Sequence, residues 1–488
     1  MDNGCIKGRK AAAAALGDVL VLGLGKSGKA VARYCLDLLG SRVKSLTIAA
    51  GDYNEGAAAF ARECERRGAK VHFDRYTFEE RYDLCVASPG ISQFSRFYEN
   101  AAAASTSVIS EVEFAWRESA ADSRWIAVTG TNGKTTTTTL ITHILEGAGL
   151  RVAAVGNIGN TCIDAVAADV ADVYVAEVSS FQLASMELFA PQVAVLLNIT
   201  PDHLYWHMTF SAYAEAKKNI YRRLSDTHGT LVIDAVCDVT RNCIKEFKDD
   251  AARAFDYIPL GCAKGLQCGM KEACGSRNAA WLHDGMLRVE YGGESIELVA
   301  ASSLRIKGEH NASNALAAAA AALAAGVAPE HVRRGLRSFE PLEHRLEPCG
   351  DIAGVSFFND SKATNVDATC KALSAFAPKT AVFLLGGHDK GTDLDELVSE
   401  ASQVCCGVVC FGAAGERFAQ AFADAGADVR CVRADHMEDA LDAAMEMAAP
   451  GQSVVLSPAC ASFDEFDSFE HRGRVFKQLV DFRAQRMR

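Results

Sequence analysis

The chain has 488 residues, and a prior of roughly 100 to 200 residues per domain predicts about three domains. The net charge of −12 argues against a sequence-independent nucleic-acid binder, and no apolar run reaches the roughly 18 residues that a membrane span needs. The 17 cysteines are odd in number and irregularly spaced, which is typical of small buried hydrophobes in a reduced protein. We therefore expect a cytoplasmic protein that neither binds nucleic acid nor inserts into a membrane. We also expect a monomer, although the sequence does not determine the oligomeric state.

The first predicted unit, residues 1–122, begins with a phosphate-binding turn. A buried strand at residues 19–22 leads into Gly-x-Gly-x-x-Gly at residues 23–28, and a helical pattern follows through Leu39. Asp52 lies near the distance of a ribose-binding acid, so the pattern alone fits a nicotinamide dinucleotide or another diphosphate. A second strand, residues 84–87, ends in a tight turn at Gly90, where open α/β sheets bind ligands.

The second predicted unit begins with a strand at residues 125–128, a glycine turn and a helix at residues 136–148. At such a turn backbone N–H groups converge on an anion, Lys134 can reach terminal phosphates, and the Thr135 hydroxyl can bind Mg²⁺. Valine stands at position 128, where the strict phosphate-loop spacing has glycine, so this is a shortened variant. A Gly/Thr turn with an unrelated lysine is the alternative.

Three further residues of this unit are candidates for phosphate chemistry. Glu177 ends a buried strand, and His203 follows the next one; an acid at such a tip is where a Mg²⁺-binding carboxylate is expected. A solvated strand end and an ordinary loop histidine are the alternatives. Lys217 shares a predicted helix face with Tyr213 and Tyr221, and spacing alone favours a surface lysine there.

Residues 240–300 are polar and glycine-rich, which predicts hairpins or a loop region. Cys262, Cys268 and Cys274 recur every six residues in this stretch, but no fourth ligand lies at a zinc-site spacing, so small hydrophobes are favoured over a metal site. An alanine-rich helix follows, over residues 304–325. Asn311 and Asn314 lie near its start, suited to helix capping or to presenting amides to a base.

The third predicted unit contains strands at residues 355–358, 381–385 and 454–456. Polar residues follow each strand, with Lys362 and Lys390 among them, and such tips form one binding edge in an open sheet. The lysines suit an anionic substrate or merely solubility. A nucleotide, a second phosphorylated ligand and a small anion together predict an ATP-driven transfer or ligation. A dehydrogenase and a non-enzymatic nucleotide switch are the alternatives.

Together the motifs resemble the Mur ligase family across nearly the whole chain. Residues 130–135, 156–159, 177–182 and 198–203, and His310-Asn311 with Asn314, fit the family in type and order. Residues 359–365 and 457–464 resemble the branch that adds glutamate. The resemblance implies an α/β fold of three domains: residues 1–122, Rossmann-like, for the UDP substrate; 123–340, P-loop ATPase-like with a mainly parallel sheet; and 341–488, Rossmann-like, for glutamate.

The resemblance also implies a reaction. ATP would phosphorylate the carboxylate of UDP-N-acetylmuramoyl-L-alanine, and the amine of D-glutamate would attack the acyl phosphate, giving an amide, ADP and phosphate for peptidoglycan precursor synthesis. The sequence leaves the glutamate stereoisomer open. A ligase that adds another amino acid to a nucleotide or folate-like acceptor is the alternative of the same chemistry.

Site residues follow from the resemblance, position by position. The ATP site would comprise Gly130, Thr131, Asn132, Gly133, Lys134, Thr135, Asn311, Asn314, Arg345 and Asp360. The metal ligands, for two Mg²⁺ ions, would be Thr135, Glu177, His203 and Lys217, with Lys217 carbamylated. Lys134, His203, Lys217 and Lys362 would be catalytic. The resemblance thereby reverses the surface interpretation of Lys217.

The same comparison assigns the two remaining substrates. The UDP substrate would contact Gly25, Lys26, Ser27, Asp52, Gly90, Asn157, Ser179 and Gln182. Glutamate would contact Thr364, Lys390, Ser462 and Phe469. Among these residues, Asp52 and Gly90 would lie near the uridine, where the following Tyr53 and Asn54 depart from some relatives. His388 has no assigned role.

Overall fold

The computed structural model describes residues 5–250, 252–261, 273–389 and 391–486. Lys390, Cys262 and Cys268 lie outside the described residues, so the predictions for them are untested. Three mainly parallel sheets with helices confirm the α/β class. The chain divides into two compact units, Met1–Ala301 with Ser313–Arg337, and Ser302–Ala312 with Ser338–Arg488. The boundaries at 122/123 and 340/341 remain a prediction.

The first sheet belongs to the amino-terminal part of the first unit. Its strands are Gly17–Leu22 (β1), Val43–Gly51 (β2), Lys70–Phe73 (β3), Leu84–Ala87 (β4) and Val108–Ser110 (β5), and its helices are Lys26–Asp37 (α1), Glu55–Arg66 (α2), Arg96–Ala104 (α3) and Glu111–Glu118 (α4). All strands are parallel in the order β3-β2-β1-β4-β5. Because the order reverses beside β1, a ligand crevice is expected at the carboxyl end of that strand.

The second sheet has nine strands and lies in the same unit. The strands are Arg124–Thr129 (β6), Val152–Gly156 (β7), Val173–Glu177 (β8), Val193–Leu196 (β9), Thr230–Asp234 (β10), Asp256–Gly261 (β11), Ala279–His283 (β12), Met286–Tyr291 (β13) and Glu294–Ala300 (β14). Their order is β14-β13-β12-β11-β10-β9-β6-β8-β7, and only the β12-β13 and β13-β14 pairs among the described strands of this sheet are antiparallel. The carboxyl ends of β6, β8 and β9 therefore share one edge.

Helices of many lengths accompany the second sheet. They are Lys134–Gly147 (α5), Cys162–Ala167 (α6), Ser180–Leu183 (α7), Leu204–His207 (α8), Phe210–Lys218 (α9), Asp238–Asp249 (α10), Glu309–Ala324 (α11) and Pro329–Ser338 (α12). Helix α9 ends before Tyr221, which instead packs on Phe247 and Phe255. The predicted shared face therefore holds for Tyr213 and Lys217 but is wrong for Tyr221.

The third sheet forms the core of the second unit. Its strands are Glu347–Ile352 (β15), Val355–Asn359 (β16), Ala381–Gly386 (β17), Cys405–Phe411 (β18), Arg430–Arg433 (β19) and Ser453–Ala459 (β20), and its helices are Val366–Leu373 (α13), Asp395–Val404 (α14), Gly415–Asp424 (α15), Met437–Met447 (α16) and Phe469–Arg486 (α17). The order is β15-β16-β20-β17-β18-β19, with β15 antiparallel to β16. The tips of β16, β20 and β17 are neighbours, as the sequence predicts.

Two stretches differ from the sequence-based expectation. Residues 240–300 contain the expected hairpins, β12 to β14, but also most of α10 and the sheet strand β11. Buried positions Thr240, Cys243, Ile244 and Phe247 recur at helical spacing in α10, hidden among charged residues. Helix α11 begins at Glu309 rather than at residue 304.

The cysteines of the described residues agree with the prediction from composition. The cysteines of the described residues are free thiols, and most are buried, as expected of small hydrophobes. Among the helices of the described residues, none combines the length and the hydropathy that crossing a membrane requires.

Candidate active site

The phosphate loop connects β6 to α5 through a turn that only glycine accommodates. Gly130 and Gly133 have φ values of +155° and +85°. A Cβ atom on Gly133 would lie 2.3 Å from Oδ1 of Asn314, and one on Gly130 would lie 2.6 Å from Cβ of Leu197. Both positions therefore exclude a side chain, and the backbone N–H groups before α5 can approach an anion closely.

Two lysine amines meet at one carbonyl oxygen of this loop. Nζ of Lys134 donates to the carbonyl oxygens of Gly130 (3.0 Å) and Thr131 (2.8 Å), and Nζ of Lys217 donates to the Gly130 oxygen at 2.7 Å. Lys217 is only 2% exposed, so the surface interpretation from spacing is wrong. Burial, followed by the charge of Lys134, lowers the pKa of Lys217 well below its usual value, which favours the neutral amine.

Glu177 lies beside the phosphate loop because β8 is paired with β6. The register places it opposite Val128, and it is only 1% exposed, so the solvated-strand-end alternative is wrong. Its Oε1 accepts a 2.7 Å hydrogen bond from Nδ2 of Asn157, at the tip of β7. Its Oε2 is buried and has no hydrogen-bond partner among the described residues. A buried carboxylate oxygen in this condition suits a cation.

His203 is held in a strained turn after β9 by the residue that precedes it. Its φ is +53°, its backbone N–H donates to Oδ1 of Asp202 at 2.8 Å, and its Nε2 lies 3.6 Å from Oδ2 of the same aspartate. The Tyr205 hydroxyl lies 3.4 Å from Nδ1. Asp202 thus holds the backbone of the turn and lies beside the imidazole. The sequence pattern did not indicate it, although it directly precedes the histidine.

The donor set at this edge fits Mg²⁺. It includes the Thr135 hydroxyl on the second residue of α5, the Glu177 carboxylate with its buried Oε2, and the His203 imidazole. Carboxylate and hydroxyl oxygens are the ligands that Mg²⁺ prefers. Thr131 and Tyr213 stiffen the surroundings, since their hydroxyl oxygens lie 2.9 Å apart.

A cavity of about 530 Å³ occupies the predicted crevice at the carboxyl end of β1. Five of the predicted contacts line it, namely Gly25, Lys26, Ser27, Asp52 and Gly90. Ser88, in the predicted tight turn, also lines it, as do Tyr76 and Phe97, which the sequence did not indicate. The Tyr76 hydroxyl donates to Oδ1 of Asp52. Gly28 permits the turn, since a Cβ there would lie 2.0 Å from the Gly23 oxygen.

Three other predicted contacts of the UDP substrate do not line this cavity in the described structure. Asn157 bonds to Glu177, while Ser179 and Gln182 form a reciprocal capping box at the start of α7. Nζ of Lys26, on the cavity side, donates to the Gly159 oxygen at 2.5 Å. This hydrogen bond therefore joins the lining of the cavity to the loop that carries Asn157.

The third sheet gathers the other predicted contacts at its strand tips. Asp360 follows β16, and burial raises its pKa to about 7; its Oδ2 accepts from the Ser457 hydroxyl at 2.7 Å. Nζ of Lys362 lies 5.2 Å from the centre of the Phe469 ring. Ser462 is 2% exposed, and Thr364 is half-buried. The tips carry cationic and hydroxyl groups suited to a small anion.

The predicted adenosine contacts are distributed over the two compact units. Asn314 lies in the first unit, against the phosphate loop, whereas Asn311 and Arg345 lie in the second. Nδ2 of Asn311 donates to the Lys307 oxygen at 2.7 Å. Because α11 begins at Glu309, neither asparagine occupies its N-cap position, and the capping alternative is wrong.

Comparisons with known proteins agree with this geometry. Residues 128–322 match the model of the Mur ligase middle domain, and residues 344–460 match that of the Mur ligase, glutamate ligase domain. The UDP-N-acetylmuramoylalanine--D-glutamate ligases of Koribacter versatilis and Frankia casuarinae are 37% and 38% identical to the chain. Each alignment covers 95% of the chain, with 96% of the first relative and 93% of the second. The MurF ligase of Thermotoga maritima, solved with ADP, has a TM-score of 0.58 at 17% identity, covering 90% of the chain and 96% of the neighbour, which shows the shared fold.

Proposed function

The chain belongs to the Mur ligase family, and on that premise we propose that it joins D-glutamate to UDP-N-acetylmuramoyl-L-alanine in an ATP-dependent reaction that forms ADP. Its relatives with this activity in their names match it over 95% of its length at 37% and 38% identity. The matched glutamate ligase domain covers the sheet whose tips carry Lys362 and Ser462. The product is the amide expected in peptidoglycan precursor synthesis.

The observation that carries the proposal is the pair of lysines on the Gly130 carbonyl. A carboxylate becomes an electrophile only when one of its oxygens is made a good leaving group, as phosphorylation does. Lys134, whose Nζ lies 3.0 Å from that carbonyl oxygen, would stabilise charge on a transferring phosphoryl group. A dehydrogenase has no use for this arrangement.

Thr135, Glu177, His203 and Lys217, once Lys217 is carbamylated, would hold the metal. When bound, Mg²⁺ supplies charge stabilisation for the phosphoryl oxygens. These four residues would hold two ions, and the buried Oε2 of Glu177 supports a cation at this position. The lowered pKa of Lys217 supports carbamylation, because only a neutral amine adds CO₂; the new N–C bond replaces an N–H bond, and the product is an anion.

The two remaining substrates would bind at strand tips outside the phosphate loop. The cavity at Gly25, Lys26 and Ser27 would take the UDP group, because a helix N-terminus and a lysine suit a diphosphate. Lys362 and Ser462, together with Thr364, Phe469 and Lys390, would take glutamate. We propose further that the enzyme acts as a cytoplasmic monomer, which size-exclusion chromatography with light scattering and fractionation of cells would test.

An ADP-release assay tests the proposed function. Purified protein is given UDP-N-acetylmuramoyl-L-alanine, ATP, Mg²⁺ and bicarbonate, with D-glutamate, L-glutamate, lysine or diaminopimelate added in turn. We expect release that requires D-glutamate. Release with another amino acid would keep the family and overturn the specificity, whereas no release with any of the four would favour a nucleotide switch.

A further inference from the structure

Arg472 is a charged residue that lies fully inside the second compact unit. It occupies the first turn of α17, three residues after Phe469, and its side chain is 0% exposed. A buried guanidinium is stable only when its N–H groups are satisfied. Its partners are therefore informative, and all of them belong to the tips of the third sheet.

The guanidinium joins two strand tips through four hydrogen bonds. Its Nε donates to the Ser361 hydroxyl (2.9 Å) and its Nη2 to the Ser361 carbonyl oxygen (2.9 Å), just beyond β16. Its Nη1 donates to the Ala461 oxygen (3.0 Å) and its Nη2 to the Cys460 oxygen (3.1 Å), just beyond β20. One side chain thus fixes the distance between the loops that carry Lys362 and Ser462.

The tip of β17 also packs against the guanidinium of Arg472. Gly387 follows β17 with a φ of +129°, and a Cβ there would lie 3.0 Å from Nη1 of Arg472 and 2.4 Å from the Ala461 oxygen. The next backbone N–H, that of His388, donates to the same Ala461 oxygen at 2.9 Å. The glycine is therefore required where the tips of β17 and β20 meet around the guanidinium. This contact also gives His388 a structural place.

The first residue of α17, Phe469, belongs to the same hydrogen-bond network. The Ser361 hydroxyl, which accepts from Arg472, donates to the Phe469 carbonyl oxygen at 2.8 Å. Phe469 in turn faces Nζ of Lys362, 5.2 Å from its ring centre. Lys362, Ser462 and Phe469 are thus held relative to one another through a single buried cation.

We infer that Arg472 is the positioning residue of the amino-acid site. It sets the spacing of the groups that bind the two carboxylates of the incoming acidic amino acid, without touching that substrate itself. The inference rests on the proposed function, because it concerns the same glutamate site. Arginine is required since its planar fork reaches two loops at once, whereas a lysine offers a single nitrogen. Burial lowers its pKa to about 10, so it stays protonated at neutral pH.

The test compares Arg472→Lys with Arg483→Lys. Arg483 lies on the same helix, is also mostly buried, and pairs with Glu438 and Asp442 on α16 instead of the strand tips. We expect Arg472→Lys to raise the KM for the amino acid at least about tenfold, since it removes charge-assisted hydrogen bonds, and to leave the KM values for ATP and the UDP substrate within about twofold. Arg483→Lys should leave all three within about twofold.

A surrogate nucleophile separates positioning from general damage. Hydroxylamine attacks an acyl phosphate and releases phosphate without any carboxylate for the amino-acid site to hold. Arg472→Lys should therefore keep ADP release with hydroxylamine within about twofold of wild type. If Arg472→Lys does not unfold cooperatively, Ser361→Ala replaces it, with an expected rise of about threefold in the same KM.

Other results would overturn the inference. An unchanged amino-acid KM in the decisive variant, or parallel losses in all three KM values and with hydroxylamine, would show that Arg472 is merely structural. Wild-type protein that releases no ADP with any amino acid would refute the proposed function itself. The two failures are therefore distinguishable.

Discussion

The carboxyl edges of the second and third sheets each bury a basic side chain, but they use it differently. Lys217 directs one nitrogen at the Gly130 oxygen, beside Lys134, whereas Arg472 distributes its N–H groups over two loops. Burial lowers the pKa of both, yet Arg472, at about 10, stays charged, while Lys217 shifts toward the neutral amine. Arginine suits a fixed scaffold and lysine a reactive site, because only lysine loses its proton within reach of physiological pH.

The difference between the two edges implies that an arginine cannot replace the buried Lys217. We expect Lys217→Arg to lower kcat at least about 100-fold, because a permanently charged guanidinium cannot form a carbamate and carries a cation toward Lys134. Steady-state ADP release measures the loss. Lys218→Arg is the matched control, since Lys218 is on the same helix and pairs with Glu215 at the surface; it should stay within about twofold.

A spectroscopic readout accompanies that variant. With ¹³C-bicarbonate, wild-type protein should show a carbamate carbon signal that is lost in Lys217→Arg and kept in Lys218→Arg. A signal that persists in Lys217→Arg would place the carbamate elsewhere. Full activity of Lys217→Arg would contradict the distinction between the two edges.

A substitution at Gly133 tests the close packing of the phosphate loop beside the second sheet. Gly133→Ala places a Cβ 2.3 Å from Oδ1 of Asn314 at a φ of +85°, so we expect a cost of about 1 to 3 kcal/mol in unfolding free energy and a raised KM for ATP. Gly147→Ala, at the other end of α5, has open space and should change stability by about 0.5 kcal/mol at most. Denaturant unfolding measures the stability of both variants, and ATP titrations measure their KM for ATP. Equal effects of Gly133→Ala and Gly147→Ala would contradict the steric explanation.

A buried carboxyl group outside both edges should make the stability of the fold depend on pH. Glu111, 2% exposed, accepts from the Ile163 N–H at 2.7 Å, and burial raises its pKa to about 7. Between its usual pKa and about 7 the folded state holds an extra proton, so this group's contribution to stability falls as pH rises through that window. The glutamine in Glu111→Gln cannot titrate. The decrease in unfolding free energy between pH 5 and 8 should therefore be about 1 to 3 kcal/mol smaller in this variant than in wild type.

Thermal unfolding at several pH values checks this prediction. The exposed Glu146→Gln should follow the wild-type pH profile. A Glu111→Gln profile that equals the wild-type one would show that another group dominates the pH dependence.

The sequence predicts the two edges unequally, for physical reasons. Lys134, Glu177 and Lys362 follow strands whose apolar runs are visible locally, so their places at strand tips could be predicted. The burial of Lys217 could not, since its helical spacing equals that of a surface lysine. Arg472 stands in a polar stretch at a helix start, and only tertiary contacts with Ser361 and Ala461 give it a role. The local sequence pattern thus predicts functional groups at strand ends, but not buried basic residues on helices.

An isotope measurement can show whether ATP phosphorylates the carboxylate of the UDP substrate. UDP-N-acetylmuramoyl-L-alanine labelled with ¹⁸O in its terminal carboxylate is turned over with ATP and D-glutamate, and the released phosphate is analysed by mass spectrometry. If ATP phosphorylates the carboxylate, one carboxylate oxygen leaves with the phosphorus atom. We therefore expect released phosphate that carries one ¹⁸O. Amide product accompanied by unlabelled phosphate would contradict carboxylate activation at this site.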